Sequence, residues 1–301
     1  MKKLYIILVS LLSFQISAQQ DPQFTQYMYN MNVINPAYAG SRENLSLGLL
    51  YRNQWQGLDG APKTGTFFGH APVGKNVGLG LSVISDEIGP VKETNVYADF
   101  SYTLRLGGMH KLALGLKAGA TYHDIGLVGL GLISANDPFF SENISSTTPN
   151  IGAGAFYYTD NYYLAISVPN ILNSVHLDDN GNNIGSETAH YFVTGGYVFQ
   201  VSKNTKLKPS FLVKSAFDAP TSFDVNLNAL FYEKFEIGAS YRLEDSFSGL
   251  VNISISPSLR IGYAYDHVSS DINAYAPASH EFMLLFDLKF PRKISRSPRY
   301  F

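Results

Sequence analysis

Seven histidines are the first residues in this chain that could do acid–base or metal chemistry: His70, His110, His123, His176, His190, His267 and His280. A zinc hydrolase built on a helix needs two imidazoles one turn apart, so that both aim at one ion. No H-x-x-x-H or H-E-x-x-H spacing occurs, and no Gly-x-Ser-x-Gly nucleophile elbow either. His123-Asp124 and Asp266-His267 set an acid beside an imidazole. Both pairs fall near expected strand ends, where a polar rim explains them without catalysis. Asp178-Asp179-Asn180-Gly181-Asn182 has the acidity of a calcium loop but not the glycine at its sixth place or the closing glutamate, so it reads as an Asn-Gly loop tip. With no cysteine in the chain, thiolate catalysis, disulfides, sulfur-ligated metals and lipidation on an N-terminal cysteine are all excluded. The expectation is a protein with no catalytic, cofactor-binding or metal-binding residues.

Recognition chemistry is better represented. The sole tryptophan, Trp55, lies in Asn53-Gln54-Trp55-Gln56-Gly57-Leu58, and Asp137-Pro138-Phe139-Phe140 places two more aromatics in the longest expected loop. Aromatic side chains on loops are favoured interface anchors, so Trp55, Gln56, Leu58, Phe139 and Phe140 are the candidate partner-binding residues. A second group, Phe24, Tyr27, Met28, Asn35, Pro36 and Tyr38, falls in a polar-aromatic stretch that Pro22 and Pro36 keep out of regular structure. It is expected to be a periplasmic or plug-like segment spanning 19–44.

The elements that must hold these groups are strands. Between Asp99 and His123, Phe100, Tyr102 and Leu104 alternate with Asp99, Ser101, Thr103 and Arg105. After Gly107-Gly108, Leu112, Leu114, Leu116, Ala118 and Ala120 alternate with Lys111, Gly115, Lys117, Gly119 and Thr121. Successive side chains on a strand point to opposite faces, so one face is apolar and the other carries charge, hydroxyl and glycine. The same dyad recurs along the chain. It predicts strands near 45–53, 64–71, 76–85, 94–105, 111–123, 149–158, 161–168, 189–200, 206–217, 221–231, 234–243, 248–256, 258–266 and 279–290. Connections at one end are short, as at Pro72–Lys75, Gly107–His110 and Thr159–Asn161. Those at the other end are mostly longer, including Gln54–Lys63, Asp86–Glu93, Asp124–Asn150, Pro169–Thr188 and His267–Ala278. About fourteen strands with sorted turns predict an all-β fold: an antiparallel up-and-down transmembrane barrel over 45–290.

Bulk properties agree. Lys2-Lys3, the apolar run Leu4–Leu12 and Ile16-Ser17-Ala18 read as a signal peptide over 1–18, cleaved near Ala18 for export to the outer membrane. Nothing later is apolar for the roughly 18 residues a spanning helix needs. Net charge is −2 with 15% charged residues, which argues against a nucleic-acid partner. Twenty Tyr and 20 Phe suit strands and interfacial girdles. Residues 291–301, with Arg292, Lys293, Arg296 and Arg299, are expected to be a basic periplasmic tail. Inward charges of both signs fit either a diffusion channel or a sealed structural barrel.

Several motifs together resemble the PorP/SprF family. They are Asp21-Pro22-Gln23-Phe24-Thr25-Gln26-Tyr27-Met28, Asn35-Pro36-Ala37-Tyr38-Ala39-Gly40-Ser41, Tyr51-Arg52-Asn53-Gln54-Trp55, Gly60-Ala61-Pro62-Lys63-Thr64, Gly78-Leu79-Gly80-Leu81, Ile88-Gly89-Pro90 and the closing Ser297-Pro298-Arg299-Tyr300-Phe301. That resemblance implies an outer-membrane component of the Bacteroidota type IX secretion system, linked to secretion or surface attachment of large adhesins, including those of gliding. Its implied partner is the C-terminal sorting domain of a secreted adhesin, with other secretion components as further partners. A core component contacting the periplasmic motor, or a passive or substrate-specific channel, is the alternative expectation.

Overall fold

The structure, a computed structural model, describes residues 22–42, 44–128, 142–172, 175–179, 182–186, 188–216 and 219–288. Its strands are β1 (Leu45–Asn53), β2 (Lys63–Pro72), β3 (Val77–Ile88), β4 (Val91–Gly107), β5 (His110–Ile125), β6 (Ile144–Tyr158) and β7 (Tyr162–Val168). A small hairpin, β8 (Val175–Asp179) with β9 (Asn182–Ser186), stands apart as its own two-stranded sheet. The main sheet resumes with β10 (Tyr191–Tyr197), β11 (Phe199–Ser202), β12 (Thr205–Ala216), β13 (Ala219–Phe231), β14 (Phe235–Arg242), β15 (Ser246–Ser256), β16 (Leu259–Val268) and β17 (Ala278–Leu288). Each strand pairs antiparallel with its neighbours, β17 returns to β1, and β10 joins β7 to β12, so the sheet closes on itself. β10 and β11 form one span interrupted at Val198, which makes fourteen spans. Closure leaves no unpaired edge, the condition for placing strands in lipid. Among the described residues, no helix is long and apolar enough to cross a membrane.

The dyad sorts as expected. Leu49, Phe100, Leu114, Leu116, Leu227 and Phe282 point outward and are exposed, while their strand neighbours Asp99, Lys117, Asn226 and Glu281 are buried inside. A Lys or Arg turned to the lipid at mid-bilayer would cost about 2–4 kcal/mol. That penalty fixes which face each strand presents.

One connection differs from expectation. Asp86–Glu93 is not a long loop: β3 and β4 continue through it and close at Ile88↔Val91 around Gly89-Pro90. Gly89 has φ +56, which a side chain would strain. The charges that look loop-like are cross-strand partners, with Glu87 opposite Lys92 and their charged atoms 3.7 Å apart. β6 likewise begins at Ile144, which shortens the connection before it to 126–143.

Both β1 and β17 begin or end at the rim carrying the short turns (residues 73–76, 108–109, 159–161, 203–204, 232–234 and 257–258), here the turn end. The opposite rim, the loop end, carries 54–62, 126–143, 169–190 and 269–277. The protein's core lies inside the barrel. Residues 24–41 run through the lumen as short helical turns (Tyr27–Tyr29, Met31–Ile34, Pro36–Tyr38), and Tyr27, Met28, Met31 and Tyr38 pack on Phe68, Phe156, Tyr163 and Leu212.

Candidate functional site

Polar links pin the luminal segment at both ends and along its length. At the loop end, the Arg242 guanidinium donates to Gln23 Oε1 at 3.0 Å. The Thr25 and Gln26 backbone N–H groups donate to the two Glu281 carboxylate oxygens at 2.9 and 2.8 Å, and Thr25 Oγ1 donates to Asp266 at 2.8 Å. Arg52 lies 2.6 Å from Asp266 and 3.2 Å from Glu281 and also donates to Thr25 Oγ1 at 3.0 Å. Two carboxylates thus face one guanidinium and two backbone donors away from water, the kind of pairing that makes buried charge tolerable.

Farther down, Tyr29 donates to Glu236 and the Asn226 amide donates to the Tyr27 hydroxyl at 3.1 Å. Lys117 pairs with Asp99 at 2.7 Å, both fully buried, and donates to the Asn32 carbonyl at 3.3 Å. Ser167 donates to the Ile34 carbonyl at 2.7 Å and Ser101 to the Ala39 carbonyl at 2.5 Å. At the turn end, Gly40 N–H donates to His70 Nδ1 at 3.2 Å, and Arg42 lies 3.3 Å from Asp287. The segment therefore crosses from the loop end at Gln23 to the turn end at Arg42.

The wall is relieved where the backbone of Asn35–Gly40 passes. A β-carbon on Gly115 would fall 2.1 Å from Ala37 N, one on Gly78 2.1 Å from Ala39 O, and one on Gly154 2.2 Å from Asn35 Oδ1. The inward glycines of the dyad are therefore a fitted track for this segment. Asn35 itself caps the Pro36–Tyr38 turn by accepting from Ala37 N–H at 2.9 Å and donates to the Ala155 carbonyl at 3.1 Å.

The candidate residues Phe24, Tyr27, Met28, Asn35, Pro36 and Tyr38 are all buried in the lumen, and Tyr38 meets Phe156 and His70 edge-on with centroids 5.3 Å away. Trp55, Gln56 and Leu58 sit at the loop end. The Trp55 and Gln56 N–H groups donate to Ser279 Oγ and the Ala278 carbonyl at 3.0 and 2.8 Å, Trp55 is half-buried, and Gln56 and Leu58 are exposed. Phe139 and Phe140 lie outside the described residues, as do Asn180 and Gly181 of the acidic loop tip. Asp266 points inward to Arg52 while His267 points outward, so adjacency along a strand separates that acid from its imidazole. No group of three His, Asp or Glu side chains among the described residues could hold a metal ion. Sequence reasoning missed Thr25, Gln26 and the carboxylates that hold them. The available signal was the inward charge of Arg52, Asp266 and Glu281 on strands whose pairing was not yet known.

The fold is that of outer-membrane barrels. The CymD monoaromatic hydrocarbon channel matches with a TM-score of 0.55 at 13% identity, over 87% of this chain and 93% of that one. The Ralstonia pickettii toluene transporter TbuX matches with 0.54 at 13% identity, over 85% and 92%, and the P. putida toluene transporter TodX with 0.50 at 10%, over 88% and 95%. At such identity the likeness concerns architecture. No curated protein matches the chain. A family model described as "Type IX secretion system membrane protein PorP/SprF" matches residues 16–286.

Proposed function

We propose, because this chain belongs to the PorP/SprF family of type IX secretion system membrane proteins, that its barrel docks an exported adhesin at the cell surface through the adhesin's C-terminal sorting domain. The family and the barrel are those of secretion and transport proteins of the outer membrane, and other secretion components fit the same setting. The observation that carries the docking reading is the occupied lumen. Chain pinned from Gln23 to Arg42 leaves a rigid cylinder whose useful surface is its loop rim. In this reading the loop end faces outside, and residues 19–44 act as a plug. Residues 1–18 are a signal peptide removed near Ala18, and 291–301 form a basic periplasmic tail. Trp55, Gln56 and Leu58, together with Phe139 and Phe140, supply anchors for the partner, and the barrel carries out no reaction of its own.

Mild-detergent purification of the tagged protein from its native membrane, followed by mass spectrometry, tests the reading. A large adhesin ending in a sorting domain is the expected companion. Steady ion conductance in planar bilayers with no surface protein co-purifying would overturn docking in favour of a channel.

A further inference from the structure

Beside the loop-end half of the luminal segment lies a cavity of about 60 Å³ that the pinning contacts do not use. Phe24 and Ile34 bound it from the segment, and Ile84, Tyr97 and Phe192 from the wall. A directed chain of hydrogen bonds runs along its polar side. The Asn95 amide donates to Glu93 at 2.6 Å, the Tyr97 hydroxyl donates to Asn95 Oδ1 at 2.7 Å, and Asn150 Nδ2 donates to the Tyr97 hydroxyl at 3.2 Å. Asn150 Nδ2 also donates to the Pro169 carbonyl at 3.3 Å. That carbonyl can only accept, so the amide cannot be turned around, and the Oδ1 of Asn150, a residue that lines the cavity, has no donor. Asn150 is 2% exposed, so this acceptor is withdrawn from bulk water and needs a donor brought to it.

We infer that this cavity is a peptide-binding subsite, filled by a branched aliphatic side chain whose neighbouring backbone N–H donates to Asn150 Oδ1. The inference rests on the docking reading and names where the partner's chain is gripped. A plain hydrocarbon fills the apolar walls but gives Asn150 nothing. A fatty-acid carboxylate brings another acceptor and a negative charge toward Glu93. An aliphatic residue within a peptide satisfies both sides.

Saturation-transfer NMR on the full-length barrel in detergent, with N-acetyl-leucinamide as probe, tests the subsite. The wild-type protein is expected to bind it, and 2-acetoxy-4-methylpentanamide, the same molecule with an ester oxygen in place of the backbone N–H, to bind about tenfold more weakly, as loss of one hydrogen bond to a buried acceptor implies. Ile84→Phe from the wall and Ile34→Phe from the segment should each fill the cavity and abolish the signal. The two variants guard against either one failing to fold. Absence of probe binding, equal binding of the ester, or unchanged binding in both filled variants overturns the subsite. Partner recovery separates the two readings. A wild-type barrel that retrieves no adhesin defeats docking while the probe still judges the cavity. A folded Ile84→Phe barrel that retrieves the adhesin at the wild-type level defeats the subsite and leaves docking standing.

Discussion

Gly115 and Leu116 are neighbours on β5, yet they belong to two differently built regions. Leu116 is 63% exposed on the outer wall, where any apolar side chain of the right period serves. Gly115 faces inward against Ala37, where even one added carbon has no room. The wall is specified by type and tolerates exchange within a type. The luminal segment is specified atom by atom, through backbone clearances and single carboxylates. A barrel can therefore keep its architecture while the fit of its interior is lost, and variants should tell the two regions apart.

The largest effect is expected at the buried charge cluster. Arg52→Ala leaves Asp266 and Glu281 together without their cation and should cost about 3–5 kcal/mol. Urea titration of the barrel refolded into phospholipid vesicles, read by circular dichroism, would measure it; a loss below about 1 kcal/mol would mean that the segment is not held by this cluster. Next in size, Gly115→Val should destabilise by about 1–3 kcal/mol through overpacking, and should open residues 22–42 to protease while the heat-modifiable band of the folded barrel persists on gels. The paired control, Leu116→Val, should leave protease resistance unchanged. Equal behaviour of the two variants would erase the distinction between wall and interior. The smallest effect belongs to the rim, where Lys92→Ala removes an exposed partner of Glu87 and should shift stability by no more than about 0.5 kcal/mol in the same titration.

Legibility in the sequence follows the same division. β1 runs over Leu45–Asn53, as the alternation predicts, and Phe223, Val225 and Leu227 face outward for the same reason. Period-2 patterning is a local signal, and the membrane penalises its violation at every span. The Asp86–Glu93 stretch misleads because charges beyond the apolar band look like loop whether or not they are paired. The interior is legible only as a list of suspects. Asn35, Pro36 and Tyr38 stand out by composition, but Gly115 reads as a weak strand residue until the chain crossing in front of it is known. Asp266 and His267, adjacent in sequence and read there as rim polarity, lie on opposite faces of their strand.

The bond between Thr25 N–H and Glu281 joins residues 256 positions apart, so the first part of the described chain is secured by the last strand. Contacts of that separation are the slowest to form, because nearly the whole loop must be gathered before any of it is rewarded. Both the segment's tether to β1 and its wall contacts lie inside the sheet that β17 closes against β1, so closing the seam and fastening the interior draw on the same strand.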